Sequence, residues 1–415
     1  MAASVPLYEG QAMQEDVIHN PDQYMADLRH ILSQGRKRIG LLIGAGAPTA
    51  IRIDEKGCTV DNGGSPLIPD VAGLTDAVMC SLPEPDKDIV EKLKLDLDEP
   101  INIETILTQI RKLSQAIGSA KIHGLDSNGY EELAKRVCEG IGEIVKAELP
   151  SNSNPYSDVA SWISGTTRSH AIEIFTPNYD LLIEEALERV HAPYFDGFSG
   201  SFRPFFDAAS VATDLLPSRW TRLWKLHGSL GWETLDDTVV RTGTRKATQL
   251  IYPDHLKYDQ IARQPYSALF ERLRSFLTTP DTLLLTCGFS FLDAHICAVV
   301  KEAMSANPHS AVFAFQFRDL EEEMAVSSIA HSHPNVSVYA RDGAIVNGIE
   351  GRWEPGQPPN EEWEAIRHTF WKATTGSREF LLGDFAKLAR FLALTRARRL
   401  NEAIELPSDE SGPED

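Results

Sequence analysis

Arg36-Lys37-Arg38-Ile39-Gly40-Leu41-Leu42-Ile43-Gly44-Ala45-Gly46-Ala47-Pro48-Thr49 is the stretch from which the rest of the chain is read. Three basic residues lead into the apolar run Ile39 to Ile43, which predicts a buried strand. Gly44 to Ala47 then predict a tight loop whose backbone can approach a ligand closely. An α/β protein holds a nucleotide at such a loop. A close strand-to-helix connection uses the same small residues, so on this stretch alone both readings stay open. Two familiar glycine-rich schemes fit poorly. No Gly-Lys-Ser/Thr follows Gly44, as a phosphate-cradling NTPase loop requires. Thr49 and Ala50 stand where a dehydrogenase fingerprint has its third small residue, and Lys56-Gly57-Cys58 and Asp61-Asn62-Gly63-Gly64-Ser65-Pro66 interrupt the helix that should follow.

With 415 residues, 42% hydrophobic and 24% charged, the chain can bury one large core or two modest ones. A formal charge of −20 disfavours binding to a nucleic-acid backbone as the main activity. The start carries no basic and apolar signal segment and no run reaches membrane-spanning length, so the expected location is the cytoplasm. Five scattered cysteines without a Cys-x-x-Cys pair predict neither a disulfide framework nor a zinc ribbon.

Taken in order, residues 1–25 read as a polar extension and Pro21 to Ser33 as a helix before the first strand. A long polar connection follows the Gly44 loop, then Ile68-Pro69-Asp70 and a helix from Val71 to Leu82. Residues 83–165 read as a helical insertion: Ile103, Ile106, Leu107, Ile110, Leu113 and Ile117 keep helical spacing, and Tyr130 to Leu149 form a second amphipathic run. Short apolar runs come next, each with a polar ending. Ile172 to Phe175 ends in Thr176-Pro177-Asn178-Tyr179-Asp180, Leu223 to Leu226 in His227-Gly228-Ser229, and Leu283 to Thr286 in Cys287-Gly288-Phe289-Ser290. Val312 to Phe315 is followed by Gln316, and Val336 to Tyr339 by Arg341-Asp342-Gly343.

Most of these runs are far enough apart for crossover helices, which predicts a Rossmann-like α/β fold with a parallel sheet. Such a sheet gathers Gly44, Asn178, His227, Gly288 and Asp342 at one carboxyl edge. Residues 346–404 read as a C-terminal helical region, with two helices broken near Thr374-Thr375-Gly376. Their apolar faces suit either packing on the core or docking a partner. Arg396, Arg398 and Arg399 suit a helix C-terminus, residues 405–415 form an acidic tail, and His331-Ser332-His333 read as a surface turn. Asn178 and Asp180 lie in a strand-to-helix turn, where they could cap the helix or line a site.

The Gly-Ala-Gly loop, Thr-Pro-Asn-Tyr-Asp, Leu-His-Gly-Ser and Cys-Gly-Phe-Ser come in the order and strand context of the sirtuin (SIR2) superfamily. The chain resembles its bacterial SIR2-like branch, NAD-degrading proteins of antiphage defence, over roughly residues 36–345; Asn102 to Leu107 resembles that branch's helical insertion. This resemblance implies a SIR2-like domain over residues 26–82 and 166–345, with NAD as substrate. Gly44, Ala45, Gly46 and Ala47 would cradle its phosphates, with Thr49 substituting for the hydroxyl residue common where Pro48 stands. Asp70 would lie near the nicotinamide amide, and Thr176 belongs to the same binding set. Asn178 and Asp180 would orient water, ribose and nicotinamide, and His227 would be the general base. Gly288, Phe289 and Ser290 would hold the adenosine half, and Asp342-Gly343-Ala344 would approach the adenine. Pro177 departs from the usual Gln.

Zinc-bearing sirtuin deacetylases carry cysteine pairs after the His-Gly motif. Here no cysteine occurs between His227 and Cys287, so no metal is expected and an acyl-lysine groove is in doubt. The leading expectation is an NAD+ glycohydrolase releasing nicotinamide and ADP-ribose as a defence effector. It would be held silent by homo-oligomer assembly or by a partner, a HerA-type hexameric ATPase or another operon-encoded protein. A non-catalytic NAD or ADP-ribose sensor gating a partner nuclease or ATPase is the alternative, and protein deacylation is third.

Overall fold

The computed structural model describes residues 17–60, 63–97, 101–236, 238–247, 264–357, 361–374 and 377–395. Its centre is a ten-stranded sheet in the order Ile18–His19, Ile349–Trp353, Gly343–Val346, Val336–Tyr339, Ala311–Phe315, Thr282–Cys287, Arg38–Ile43, Glu173–Thr176, Thr221–Lys225 and Tyr194–Phe195. The middle strands are all parallel, with Leu285 opposite Leu41, Leu41 opposite Ile174, and Ile174 opposite Leu223. The Arg38–Ile43 strand has buried neighbours on both faces, which is why it reads as an unbroken apolar run. The fold is α/β with a large parallel-rich sheet, as the spacing of the apolar runs predicts.

The predicted first helix is present as Pro21–Ser33, with the Asn20 side chain accepting from the Asp22 amide. The described part of residues 1–25 joins the fold: Ile18 and His19 pair with Arg352 and Trp353, and Met25 is in the core. Between residues 83 and 165 lie the helices Glu84–Lys94, Ile103–Ala116, Ser127–Val145 and Pro155–Ser164. Asn102 begins the second with a capping box, and Ile103, Ile106, Leu107 and Ile110 bury its apolar stripe.

Two expectations are corrected. The break near Thr374 is a hairpin of Trp371–Thr374 with Ser377–Phe380, set between the helices Glu361–Phe370 and Phe385–Leu394. His331 lies in the last turn of the Met324–Ser332 helix, with His333 as its C-cap, and not in a surface turn. Gly343 and Ala344 form an antiparallel strand, where a Cβ on Gly343 would meet Gly351 O at 2.7 Å, so that backbone is committed to a ladder. Arg396, Arg398, Arg399 and the acidic stretch 405–415 lie outside the described residues.

Trp363, Ile366, Phe370, Phe380, Phe385, Leu388, Phe391 and Leu392 are all buried in the main core. The Phe385–Leu394 helix packs on the Pro155–Ser164 helix, with the Phe385 and Tyr156 rings 5.0 Å apart. Residues 382–384 thereby cross the carboxyl edge of the sheet: Gly383 O is 3.5 Å from Cys287 Sγ, and a Cβ on Gly383 would collide with Gln316 O. Among the described residues no helix is long and apolar enough to cross a membrane.

Candidate active site

Ile43 ends its strand and the chain turns through Gly44-Ala45-Gly46-Ala47 into a short 3-10 turn, Pro48–Ala50. The turn is tied to the next strand end by Gly44 N donating to Cys287 O (3.0 Å) and Gly46 N to Gly288 O (2.8 Å). The approach is so close that a Cβ on Gly44 would lie 2.3 Å from Gly288 O. A Cβ on Gly288, itself at φ +65°, would lie 2.5 Å from Ala47 N. Backbone contact between two loops therefore requires these glycines. Thr49 donates its hydroxyl to Gly46 O at 2.7 Å, which closes the turn from inside.

The neighbouring Glu173–Thr176 strand ends against the same loop. Thr176 donates its hydroxyl to Ile43 O (2.7 Å) and accepts from Asn178 N (3.0 Å), while Asn178 Nδ2 donates to Gly44 O (3.1 Å). Asn178 is 8% exposed, and its Oδ1 is a buried acceptor without a hydrogen-bond partner. Burying such an acceptor unpaired costs about 1–3 kcal/mol. Asp180 accepts from Leu182 N at 3.0 Å in the first turn of the Leu182–Arg189 helix. Of the two residues that could have served the helix start, Asp180 does so and Asn178 points its amide to the glycine loop.

Thr176 lies opposite Lys225 in the parallel ladder, and Leu226 N donates to Thr176 O at 2.8 Å. Asn178 and His227 are thus each two residues beyond a paired position, on strands about 4.8 Å apart. The two turns are further joined by Leu230 N donating to Tyr179 O (3.0 Å), and Tyr179 reaches Glu104 of the helical insertion (3.4 Å). His227 is 4% exposed, its ring stacks on Phe270, and its Nε2 lies 2.9 Å from Asp293 Oδ2. Asp293 Oδ1 in turn accepts from His295 N and Ile296 N at the start of the Ala294–Ala306 helix. Burial pushes the Asp293 carboxyl up, but the His227 ring and the Ile296 amide outweigh it and hold it below the usual carboxylate range.

Lys225, 1% exposed, underlies the Asp180 turn by donating to Asp180 O and sits 3.4 Å from Glu184 Oε1. Burial raises the Glu184 pKa against the opposing effect of Lys225. Cys287 is no thiolate nucleophile, because burial and the nearby Asp384 raise its pKa strongly.

Thr176, Asn178, Asp180, His227, Gly44, Gly46 and Gly288 are therefore brought together at one edge, with Ala45 and Ala47 in the same turn. Phe289 is buried there against Phe291, its carbonyl accepting from Gln316 Nε2, and Ser290 is exposed beside it. Asp70 is an exposed N-cap, accepting from Gly73 N at 2.9 Å. Asp342 is also exposed and accepts from Leu320 N, three strands and about 14 Å from the Gly44 strand at ~4.8 Å per strand. The structure does not bring Asp342 to Asn178 and His227. Sequence reasoning passed over Asp293 and Lys225. The signal for Asp293 was an acid at a helix start just after Cys-Gly-Phe-Ser; nothing local marked Lys225.

Fold and edge together define a parallel α/β protein whose polar residues converge beyond the strand carboxyl ends, where this class binds its ligands. Residues 172–336 match the family model of the SIR2-like domain, a span that includes the Asn178, His227 and Gly288 turns but not the Gly44 loop. No curated protein matches the chain. A solved structure described as "Structural Basis for the Mechanism and Regulation of Sir2 Enzymes" is 14% identical, over 71% of this chain and 86% of that one, with a TM-score of 0.34. No residue role rests on that likeness. Among the described residues no group of three His, Cys, Asp or Glu side chains could hold a metal ion.

Proposed function

We propose that the chain is an NAD+ glycohydrolase, with Asn178 and the His227–Asp293 pair as its working groups. The observation that carries this reading is the buried, unpartnered Asn178 Oδ1 on the turn beside His227. A buried acceptor left open awaits a donor, and a water or ribose hydroxyl supplies one. The SIR2-like match over 172–336 supports NAD as the substrate.

In the reaction, nicotinamide leaves with the electrons of its bond to ribose, so its ring nitrogen becomes neutral and positive charge develops at the anomeric carbon. Water held by Asn178 adds there and gives a proton to His227. Because Asp293 faces Nε2, the neutral ring keeps its proton on that nitrogen and leaves Nδ1 to accept. General-base assistance of this kind contributes about 10²–10⁴-fold. The small-residue turn Gly44 to Ala47, with Thr49 and Thr176, would receive the phosphates, and Gly288, Phe289 and Ser290 the adenosine half. Asp70 keeps its place near the nicotinamide in this reading. The exposed Asp342 would contact only a dinucleotide extended along the edge.

The reading extends to an NAD-depleting antiphage effector that stays silent until assembly or a partner such as a HerA-type ATPase opens it. The segment 382–384 across the carboxyl edge, and the glycine loops pressed on each other, support such restraint. The same closure favours one alternative, a sensor that binds NAD or ADP-ribose intact. Chromatography of NAD incubated with the purified chain, alone and with its operon-encoded partner, separates the two. Release of nicotinamide and ADP-ribose, lost in His227→Ala and Asn178→Ala, is the expected result. Stoichiometric retention of intact NAD would establish the sensor instead.

A further inference from the structure

The opposite, amino-terminal edge of the strands Arg38–Ile43, Glu173–Thr176 and Thr221–Lys225 holds a polar cavity of about 100 Å³. Arg38 starts the first of those strands, Glu173 the second, and Arg222 is the second residue of the third. Arg272 comes from the Tyr266–Thr278 helix, and His170 and Asp214 from flanking loops. Glu173 is engaged by other donors: it accepts from Trp224 Nε1 (2.7 Å) and from Arg272 Nε and Nη2 (2.8 and 2.6 Å).

Arg222 is different. It is 3% exposed, yet among the described residues its guanidinium donates to the backbone carbonyls of Leu216, Pro217 and Trp220 and pairs with no carboxylate within salt-bridge distance. Arg38 uses one nitrogen, toward Asp214 Oδ2 at 3.1 Å, and the other Asp214 oxygen takes Arg272 Nη2 at 2.6 Å. Three guanidiniums thus face two carboxylates. One of those carboxylates, Asp214, is a loop side chain 53% exposed. Burial is the main cause that lowers the His170 and Arg222 pKa values; Arg38 adds to it at His170, while at Arg222 the Glu173 carboxylate opposes it more than Arg272 adds. The excess of guanidiniums sits in a chain whose formal charge is −20.

We propose that this cavity binds a small tetrahedral oxyanion of the phosphate class, which takes the place of the Asp214 carboxylate between Arg38 and Arg272 and neutralises Arg222. A cavity of about 100 Å³ has room for a phosphate group. Planar guanidiniums from two strands and a helix present paired donors to such an ion, and their burial strengthens each contact over its value in water. Asp214 then acts as a resident competitor, a carboxylate that occupies the anion position until phosphate displaces it. This assignment is independent of what happens at the carboxyl edge.

The sign of one substitution tests it. Calorimetric titration of the full chain with inorganic phosphate, and melting with phosphate against sodium chloride of equal ionic strength, give the readouts. Removing the competing acid by Asp214→Ala should tighten phosphate binding at least about tenfold and enlarge its stabilising shift, since charges about 4 Å apart near a surface interact by several kcal/mol. Arg38→Gln should weaken binding about tenfold and Arg38→Lys less. A methyl phosphate arm distinguishes the sources: binding equal to inorganic phosphate points to a phosphomonoester, and exclusion of the ester to the free ion. Should Asp214→Ala fold poorly, Asp214→Asn removes the same charge while keeping the shape. Phosphate indistinguishable from chloride in the parent and in both Asp214 variants overturns the proposal. So does phosphate binding that Arg38→Gln leaves unchanged.

Discussion

The Nε2 atom of His227 lies 2.9 Å from Oδ2 of Asp293, and both side chains are less than a tenth exposed. Each lies beyond the carboxyl end of a different strand, so the contact joins the Leu-His-Gly-Ser turn, which leads into the Trp232–Leu235 strand, to the helix that follows Cys-Gly-Phe-Ser. It turns the Nε2 edge of the ring toward Asp293. Asp293→Asn keeps an acceptor for the His295 and Ile296 amides and removes only the charge. NAD turnover should fall at least about tenfold and by no more than the ~10²–10⁴-fold that a general base supplies, with the fold retained.

The same pair sets a pH limit. The folded-state Asp293 carboxyl titrates below its ordinary value, so its stabilising contribution is present above about 3.9, the unfolded value, and disappears as pH falls through the lower folded one. Melting curves of the parent and Asp293→Asn should keep a constant separation from pH 8 to about 5 and converge only in more acidic solution. Convergence near neutrality would exclude a charged Asp293 in the fold.

Asn178→Ala separates stability from activity. It deletes the hydrogen bond to Gly44 O, worth about 1 kcal/mol, and relieves an unpaired buried acceptor of similar magnitude. Urea midpoints should move by no more than the equivalent of about 1 kcal/mol while NAD hydrolysis vanishes, as expected where a site holds a group unpaired for its substrate.

Gly288→Ala should fail for a backbone reason. Its φ of +65° strains any L side chain by about 1–3 kcal/mol, and the new Cβ would meet Ala47 N at 2.5 Å. Loss of thermal stability together with loss of NAD binding is expected. Retention of both would show that the two loops can part freely.

Lys225→Met strands Glu184, whose side chain is 13% exposed. Breaking one partner of a buried pair costs about 3–5 kcal/mol. The raised folded-state pKa of Glu184, rising further without Lys225, means that the variant is favoured below the ordinary carboxylate range and loses stability as pH rises through the folded value. Its deficit against the parent should be larger at pH 8 than at pH 5, and Glu184→Gln in the same chain should recover much of it.

How much was legible beforehand depended on the range of the interaction. The six central strands and the helices Pro21–Ser33, Val71–Ser81 and Ile103–Ala116 were readable because burial on both sides of a parallel strand leaves an unbroken apolar run, and burial of one stripe of a helix leaves its period over three or four turns. Turn residues such as Asn178 and His227 were visible because a polar side chain directly after an apolar run has nowhere to go but the sheet edge. The Trp371–Phe380 hairpin was misread, since aromatic residues there fit either period over so short a span.

The sequence by itself determined the α/β class, the parallel order of its apolar runs, and the gathering of the Gly44, Asn178 and His227 turns. All of these follow from local patterning and chain direction. Only the tertiary structure decided that Asp293 faces His227, that the glycine loops touch each other, that residues 382–384 cross the edge, and that Arg222 lies buried beside a cavity with its guanidinium on backbone carbonyls. The reason is range: Glu173 and Arg272 meet across 99 residues of chain, and no periodicity records a contact made only when strands and helices dock.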